Sequence, residues 1–272
     1  AGRKVLNFCA NNYLGLSDNP RLVEAAKKAM DSRGYGMSSV RFICGCQDIH
    51  KELEKAIADY FGTEDTILYA ACFDANGGVF EPLFGEQDAI ISDALNHASI
   101  VDGCRISRAA VKVYPHSDMG ALEKLLQETE TAGQRFIVTD GVFSMDGDVA
   151  DLPSLVKLKE KYEACLIVDD AHATGVIGET GRGTAEYYHM EGIDIQVGTL
   201  SKSLGAEGGF AAADRHITDY LRNCSRPFIF STSIAASTGA AALAALRLLE
   251  KNPEKYMGAL RQNTAYMKEK LR

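Results

Sequence analysis

The chain has 272 residues, 46% of them hydrophobic, enough to fill one large α/β domain with part of a second and to bury a sizeable core. Its net charge of -8 disfavours partners that select basic surfaces, so neither nucleic acid nor an anionic membrane is expected, and an anionic ligand would need a local pocket. With 25 glycines, 6 prolines and no low-complexity run or repeat of fixed period, a disordered or fibrous chain is disfavoured.

The seven cysteines (Cys9, Cys44, Cys46, Cys72, Cys104, Cys165 and Cys224) are odd in number and scattered through apolar or small-residue runs, which suits reduced thiols. Cys44-Gly45-Cys46 is the one close pair. No second pair and no His-x-x-x-His follows it, so buried small residues are expected there rather than a metal. No apolar run is long enough to span a bilayer and no signal peptide opens the chain. A cytoplasmic location is expected, or a mitochondrial one in a eukaryotic host, and the start at Ala1 leaves room for targeting residues ahead of it.

After an N-terminal segment, residues 1–20, Asn19-Pro20 starts a helix carrying Leu22, Val23, Ala26, Ala29 and Met30 on one side and stopped by Gly34. Asp48 is placed to cap a second helix with Leu53, Ile57 and Phe61 inward, ended by Gly62. Short apolar runs then read as strands buried on both faces: Thr66 to Ala70, Ala89 to Ser92, Val111 to Tyr114, Phe136 to Thr139, Cys165 to Val168, Ile195 to Thr199 and Phe210 to Ala213. Helices are expected near residues 75–84, 98–107, 118–130 and 153–162. That alternation is the signature of βαβ units feeding a mostly parallel sheet of seven strands with helices on both faces. A large domain over residues 21–252 and the start of a second, cut short, over residues 253–272 are expected, with the boundary near Pro253.

In such a sheet a ligand sits beyond the carboxyl ends of the strands, which gives weight to polar residues directly after apolar runs. Cys72-Phe73-Asp74-Ala75-Asn76-Gly77-Gly78 follows one strand and opens a helix, offering free N–H groups to a phosphate, or forming a plain turn. His97 follows Ile90-Ile91, where an imidazole can stack on an aromatic ligand or serve as a hydrogen-bonded structural group. Asp140 to Asp148 supplies Ser144 and several carboxylates, without the full calcium-loop pattern. Asp169 ends a buried strand, and a buried acid costs several kcal/mol unless something cationic meets it. A protonated pyridine nitrogen would serve, with His172 at the ring's phenolic oxygen, whereas Asp170 beside it reads as a helix cap.

Lys202 lies in Gly198-Thr199-Leu200-Ser201-Lys202-Ser203-Leu204-Gly205, at the exit of an apolar strand. It reads either as a surface lysine in a Gly/Ser loop or as an amine whose pKa is lowered by partial desolvation and which can bind an aldehyde. No Gly-x-Gly-x-x-Gly after a strand, phosphate-binding Gly-Lys-Ser/Thr loop, Gly-x-Ser-x-Gly elbow or His-Glu-x-x-His occurs, which removes support for nicotinamide binding, P-loop hydrolysis, serine hydrolysis and zinc proteolysis.

Together with Asn7-Phe8-Cys9-Ala10-Asn11-Asn12-Tyr13-Leu14-Gly15-Leu16 and Arg41-Phe42-Ile43-Cys44-Gly45-Cys46-Gln47-Asp48, these segments resemble the α-oxoamine synthases of the fold-type I pyridoxal phosphate enzymes, from Asn7 to about Pro253. The resemblance is strongest to the branch that condenses glycine with acetyl-CoA. It implies a pyridoxal 5'-phosphate cofactor anchored on Lys202, which also moves the substrate proton, with Asp169 at the pyridine nitrogen and His97 stacked on the ring. It further implies His172 and Ser144 at the phenolic oxygen, and the Cys72 and Phe73 backbone with the Thr199 hydroxyl at the phosphate. Thr232 and Ser233 would reach the phosphate of a neighbouring subunit in a homodimer, and Asn11 would hold the amino-acid carboxylate. The Ser201-Lys202-Ser203 segment departs toward the branch that uses alanine and a pimeloyl thioester, which stays open as an alternative. So does a catalytically incomplete subunit, since the expected C-terminal small domain with its substrate-carboxylate arginine lies beyond Arg272.

Overall fold

A computed structural model describes residues 2–271; Ala1 and Arg272, the outermost residues of the N-terminal segment and of the last expected helical run, lie outside them. Helix α1 (Pro20–Arg33) starts as expected: Asn19 accepts the Arg21 N–H and proline supplies the first-turn φ. It ends at Gly34, whose φ of 80° favours glycine and whose N–H returns to the Met30 carbonyl. Leu22 and Ala29 are its buried residues, whereas Val23 is exposed, because α1 packs through a narrower stripe than its apolar pattern suggests.

Helix α2 (Asp48–Phe61) is preceded at the cap position by Gln47, correcting the expected Asp48 cap. The Gln47 N–H donates to the His50 ring at 3.0 Å, and Asp48 pairs instead with Arg33.

The strands β1 (Asp65–Tyr69), β2 (Ala89–Asp93), β3 (Ala110–Tyr114), β4 (Arg135–Asp140), β5 (Cys165–Asp169), β6 (Ile195–Thr199) and β7 (Gly209–Ala213) form one sheet of seven in the order β1-β7-β6-β5-β4-β2-β3. Only β7 runs antiparallel to its neighbours, so the other six strands present their carboxyl ends along one edge. Helices α3 (Cys72–Leu83), α4 (Ala98–Ile106), α5 (Met119–Glu128), α6 (Leu152–Lys161), α7 (Thr184–Tyr187), α8 (Arg215–Cys224), α9 (Arg226–Phe230), α10 (Ala236–Lys251) and α11 (Ala259–Leu271) complete the chain. A five-residue π-helical turn, Glu254–Gly258, follows Pro253 and leads into α11, which has no buried residue.

Alternation along the strands builds a core on each face. Ile67, Tyr69, Ile90, Val138, Ile167, Val197 and Ala211 pack on one face with Val79 and Phe80 of α3 and Ile100 of α4. On the other, Leu68, Phe210 and Ala212 meet Leu53 and Ile57 of α2 and Leu243 and Leu246 of α10, while Ile137, Leu166 and Val168 meet α5 and α6. The expectation of two-sided burial fails at β3. It is one of the sheet's two edge strands, with Val111 40% and Val113 59% exposed, whereas β1 at the other edge is buried because α2 and α8 pack against it.

Cys44 and Cys46 are exposed, correcting their expected burial, as are Cys9 and Cys224; Cys104 is buried. Among the described residues no helix is long and apolar enough to cross a membrane.

Candidate active site

The carboxyl edge of the sheet gathers most of the residues singled out above. At the end of β1 the chain turns through Ala71 into α3, whose first turn has no side-chain cap, so the backbone N–H groups of Cys72 and Phe73 open toward that edge. Gly209, at the start of β7, pairs with both Tyr69 and Thr199, and a Cβ there would stand 2.4 Å from the Cys72 nitrogen. Only glycine lets the helix terminus sit this close to the strand ends.

Asp169 ends β5 with 4% of its surface exposed. No side-chain cation pairs with it at hydrogen-bond distance among the described residues. Its Oδ2 accepts from Asn76 Nδ2 at 2.7 Å and its Oδ1 from the Ala171 N–H at 2.9 Å, and the Cys72 sulfur lies 3.9 Å from Oδ2. Burial and the Asp169 charge push the Cys72 thiol well up, which makes it an inert packing group rather than a nucleophile. Asp140, at the end of β4, is the register partner of Asp169. Burial, then the neighbouring Asp169 charge, pushes its carboxyl up to about 8. Its Oδ2 accepts the His97 N–H at 2.8 Å, tying the turn after β2 to the end of β4.

Beyond β6, the turn carrying Lys202 is closed by Leu200 N–H to the Gly208 carbonyl at 2.9 Å and by Gly205 N–H to the Lys202 carbonyl at 3.0 Å. Gly205 has a φ of 64°, which favours glycine. Burial lowers the Lys202 amine from its ordinary value, opposed by Asp169, Cys72 and Asp140. His172 is pushed down to about 4 by burial, then by Lys202 and His97. Hydrogen bonds and strand register join Asp169, Asp140 and His97, and Lys202 and His172 lie within reach of the charges at this edge. Thr199 is buried at the same turn; its hydroxyl donates to the Gly208 carbonyl at 3.2 Å and lies 2.8 Å from the Ser201 hydroxyl.

Tyr13 was not singled out from the sequence, yet its hydroxyl lies 2.8 Å from His172 Nδ1 and donates at 3.3 Å to Asn11 Oδ1. The N-terminal segment is held there by buried Leu14 and Leu16 and by the Leu16 N–H donating to Asn12 Oδ1 at 2.9 Å, so Asn11 joins the site through Tyr13. The only sequence signal for Tyr13 is its place beside Asn11 in a segment with no regular periodicity. Asn76 and Ser99, which link Asp169 to His97, were likewise missed as functional residues.

Three expected residues are not drawn into this network. Ser144 is exposed on the β4–α6 connection, with no side-chain hydrogen bond to a described residue. Thr232 bridges Val40 and is exposed, and the half-buried Ser233 hydroxyl donates to the Gly45 carbonyl at 2.7 Å; neither side chain bonds to the residues above. Asp170 is structural: wholly buried, it accepts at 2.9 Å from the Thr184 N–H that opens α7 and at 2.7 Å from Gln196.

A seven-stranded mixed sheet with a half-buried lysine and a buried acid at its carboxyl edge defines the class. The chain belongs to the family described as aminotransferase class I and II, whose description matches residues 3–272. It is 54% identical over 257 residues to the 2-amino-3-ketobutyrate coenzyme A ligase of Salmonella typhimurium, covering 93% of this chain and 65% of that protein. It is 49% identical over 271 residues to 8-amino-7-oxononanoate synthase 1 of Bacillus velezensis, covering 99% of this chain and 69% of that one. Among solved structures, a serine palmitoyltransferase from S. paucimobilis superposes with a TM-score of 0.88 at 35% identity, over 91% of this chain and 64% of its own. These relatives bear out the α-oxoamine synthase resemblance, and the chain spans slightly less than two thirds of the ligase's length.

Proposed function

We propose that this chain carries the cofactor site of a pyridoxal phosphate-dependent acyltransferase that condenses glycine with acetyl-CoA to 2-amino-3-oxobutanoate and CoA. The observation that carries the reading is Lys202, its amine lowered by burial, in the same electrostatic neighbourhood as the buried Asp169 carboxylate.

The residues fit the group. Asp169 is held by Asn76 and the Ala171 N–H, and a pyridine N–H would meet the remaining lone pairs of that carboxylate. The uncapped N–H groups of Cys72 and Phe73 and the Thr199 hydroxyl suit a phosphate, and Lys202 suits an aldehyde carbon. The cofactor supplies an aldehyde that takes up the amino-acid nitrogen and a ring that withdraws electrons from the Cα–H bond. Asp169 would keep the ring nitrogen protonated and His97 would stack on the ring; His172 would bond at its phenolic oxygen, a role the family resemblance also gives to Ser144, which is exposed here.

With the cofactor bound, Lys202 would take the Cα proton onto Nζ while Asn11 holds the carboxylate. The Cα carbon would form its bond to the thioester carbonyl carbon as the C–S bond breaks, and the proton held on Lys202 would go to the departing sulfur, so that CoA leaves as the thiol. The family resemblance assigns Thr232 and Ser233 to the phosphate of a second copy in a homodimer, and the exposure of Thr232 is compatible with that role. A cytoplasmic location accompanies this reading.

The alternative acyl acceptor and donor, alanine with pimeloyl-CoA, is favoured by the Ser201-Lys202-Ser203 segment and by the oxononanoate synthase relatives. Thiol release from glycine plus acetyl-CoA, against alanine plus pimeloyl-CoA, separates the two. Release only with glycine and acetyl-CoA is expected. Lys202→Ala should abolish both that release and the visible absorption gained with pyridoxal phosphate; survival of both would overturn the assignment.

A further inference from the structure

Asn76 lies on α3 with no exposed surface, and its single nitrogen serves two acceptors: Asp169 Oδ2 at 2.7 Å and Ser99 Oγ at 2.9 Å. Its Oδ1 is buried without a hydrogen-bond partner among the described residues. Turning the amide over would set that oxygen against the Asp169 carboxylate, so the acid dictates the orientation and the stranded oxygen follows from it. Because the Ser99 oxygen is accepting from Asn76, its own proton is available to His97 Nδ1, 2.7 Å away. The Ser99 backbone N–H points at the same nitrogen, at 3.2 Å. Two donors converging on Nδ1 require a lone pair there, which places the ring proton on Nε2.

We propose that Asn76 and Ser99 are positioning residues that tie the Asp169 carboxylate to the His97 imidazole, so that the group beneath the cofactor's nitrogen and the ring expected to lie over its face are set by one hydrogen-bonded chain. The proposal rests on the reading of the site given above. Asn76 orients Oδ2 of the acid and makes the Ser99 hydroxyl a donor. Ser99 fixes the histidine's tautomer and, through two bonds to one nitrogen, the plane of its ring. His97 is also the N-cap of α4, and its own N–H is held by Asp140, so both backbone and side chain of the stacking residue are anchored to the acids of the neighbouring strand ends.

The test uses the chain labelled with 15N-histidine and free of cofactor, with the His97 signal assigned by His97→Gln. The wild type should show one tautomer, the proton on Nε2. Asn76→Ala should reduce the hydrogen-bond shift of Nδ1, because the Ser99 hydroxyl is no longer held as a donor and only the Ser99 N–H still meets that nitrogen, while Ser99→Thr should retain the wild-type signal. Should Asn76→Ala fail to fold, Ser99→Ala probes the other end of the chain and should remove the hydrogen-bond shift of Nδ1, with Ser99→Thr restoring it.

Pyridoxal phosphate titrated against each variant should bind about tenfold more weakly to Asn76→Ala or Ser99→Ala and normally to Ser99→Thr. An Nδ1–H tautomer in the wild type, or an unchanged Nδ1 shift and unchanged affinity in both alanine variants, overturns the proposal. A wild-type chain that shows the Nε2–H tautomer and does not bind pyridoxal phosphate overturns the cofactor reading, and with it the proposed purpose of the chain of bonds.

Discussion

Asp140 and Asp169 are register partners at the ends of adjacent parallel strands, both at most 5% exposed, and they keep different company. Asp169 accepts from a side-chain amide and a backbone N–H, while Asp140 accepts the His97 N–H and has its carboxyl pushed up to about 8 by burial and by its neighbour. Two buried acids this close disfavour two full negative charges, and it is the Asp140 carboxyl whose proton is held more tightly.

The sign of the resulting pH dependence follows. An unfolded Asp releases its proton near pH ~4, whereas native Asp140 keeps it until about 8. Between those values the native state binds the extra proton, so stability falls as pH rises through the window. Asp140→Asn should flatten that decline and raise the melting temperature at pH 8 by about 5 °C, with a much smaller gain at pH 5. Thermal melts at the two pH values check it, and parallel wild-type and variant profiles would refute it.

Asp169→Asn should retain pyridoxal phosphate but lower thiol release by about 100-fold or more, because an amide does not hold a proton on the ring nitrogen. The measurement is kcat with cofactor occupancy read by absorbance. Unchanged turnover at full occupancy would remove Asp169 from its role.

Gly209→Ala should destabilise the chain by about 1–3 kcal/mol, since the new methyl meets the Cys72 nitrogen and Cα rather than a yielding side chain. It should weaken phosphate and pyridoxal phosphate binding together, by moving the start of α3 off the strand ends. Urea unfolding and an inorganic phosphate titration report the two effects separately.

The loop bearing Ser144 is pinned by His116, whose Nδ1 meets Asp93 at 3.0 Å and whose Nε2 meets Asp148 at 2.8 Å. Burial opposes the imidazolium, but the bonds to Asp93 and Asp148 outweigh it and its pKa is raised. That stabilisation is complete below the unfolded pKa of ~6.5 and is lost as pH rises through the native value. Asp148→Asn should cost about 1 kcal/mol or less at pH 6 and should speed proteolytic cutting near Met145, 91% exposed, at pH 6, where the wild type is expected to resist it. Equal cutting rates for both proteins at pH 6 would count against the pin.

The strands, the helices between them and the edge where chemistry belongs were legible because burial leaves a one-dimensional record: apolar runs for strands covered on both faces, 3.6-residue spacing for helices, polar residues where each run stops. Asp169, His172 and Lys202 were marked that way as candidates. The same rule misjudged Val111 and Val113, since a run of apolar residues does not say whether its strand lies at the centre or the edge of the sheet.

What tertiary structure alone decided is which of the marked residues meet. Asn76 reaches Asp169 across 93 positions and Tyr13 reaches His172 across 159, pairings set by strand order and by the path of the N-terminal segment over the sheet edge. Composition and spacing report how far each residue is removed from water, which is a property of its own position. A hydrogen bond between distant residues depends on a relation between two positions, and that relation exists only once the sheet has closed around it.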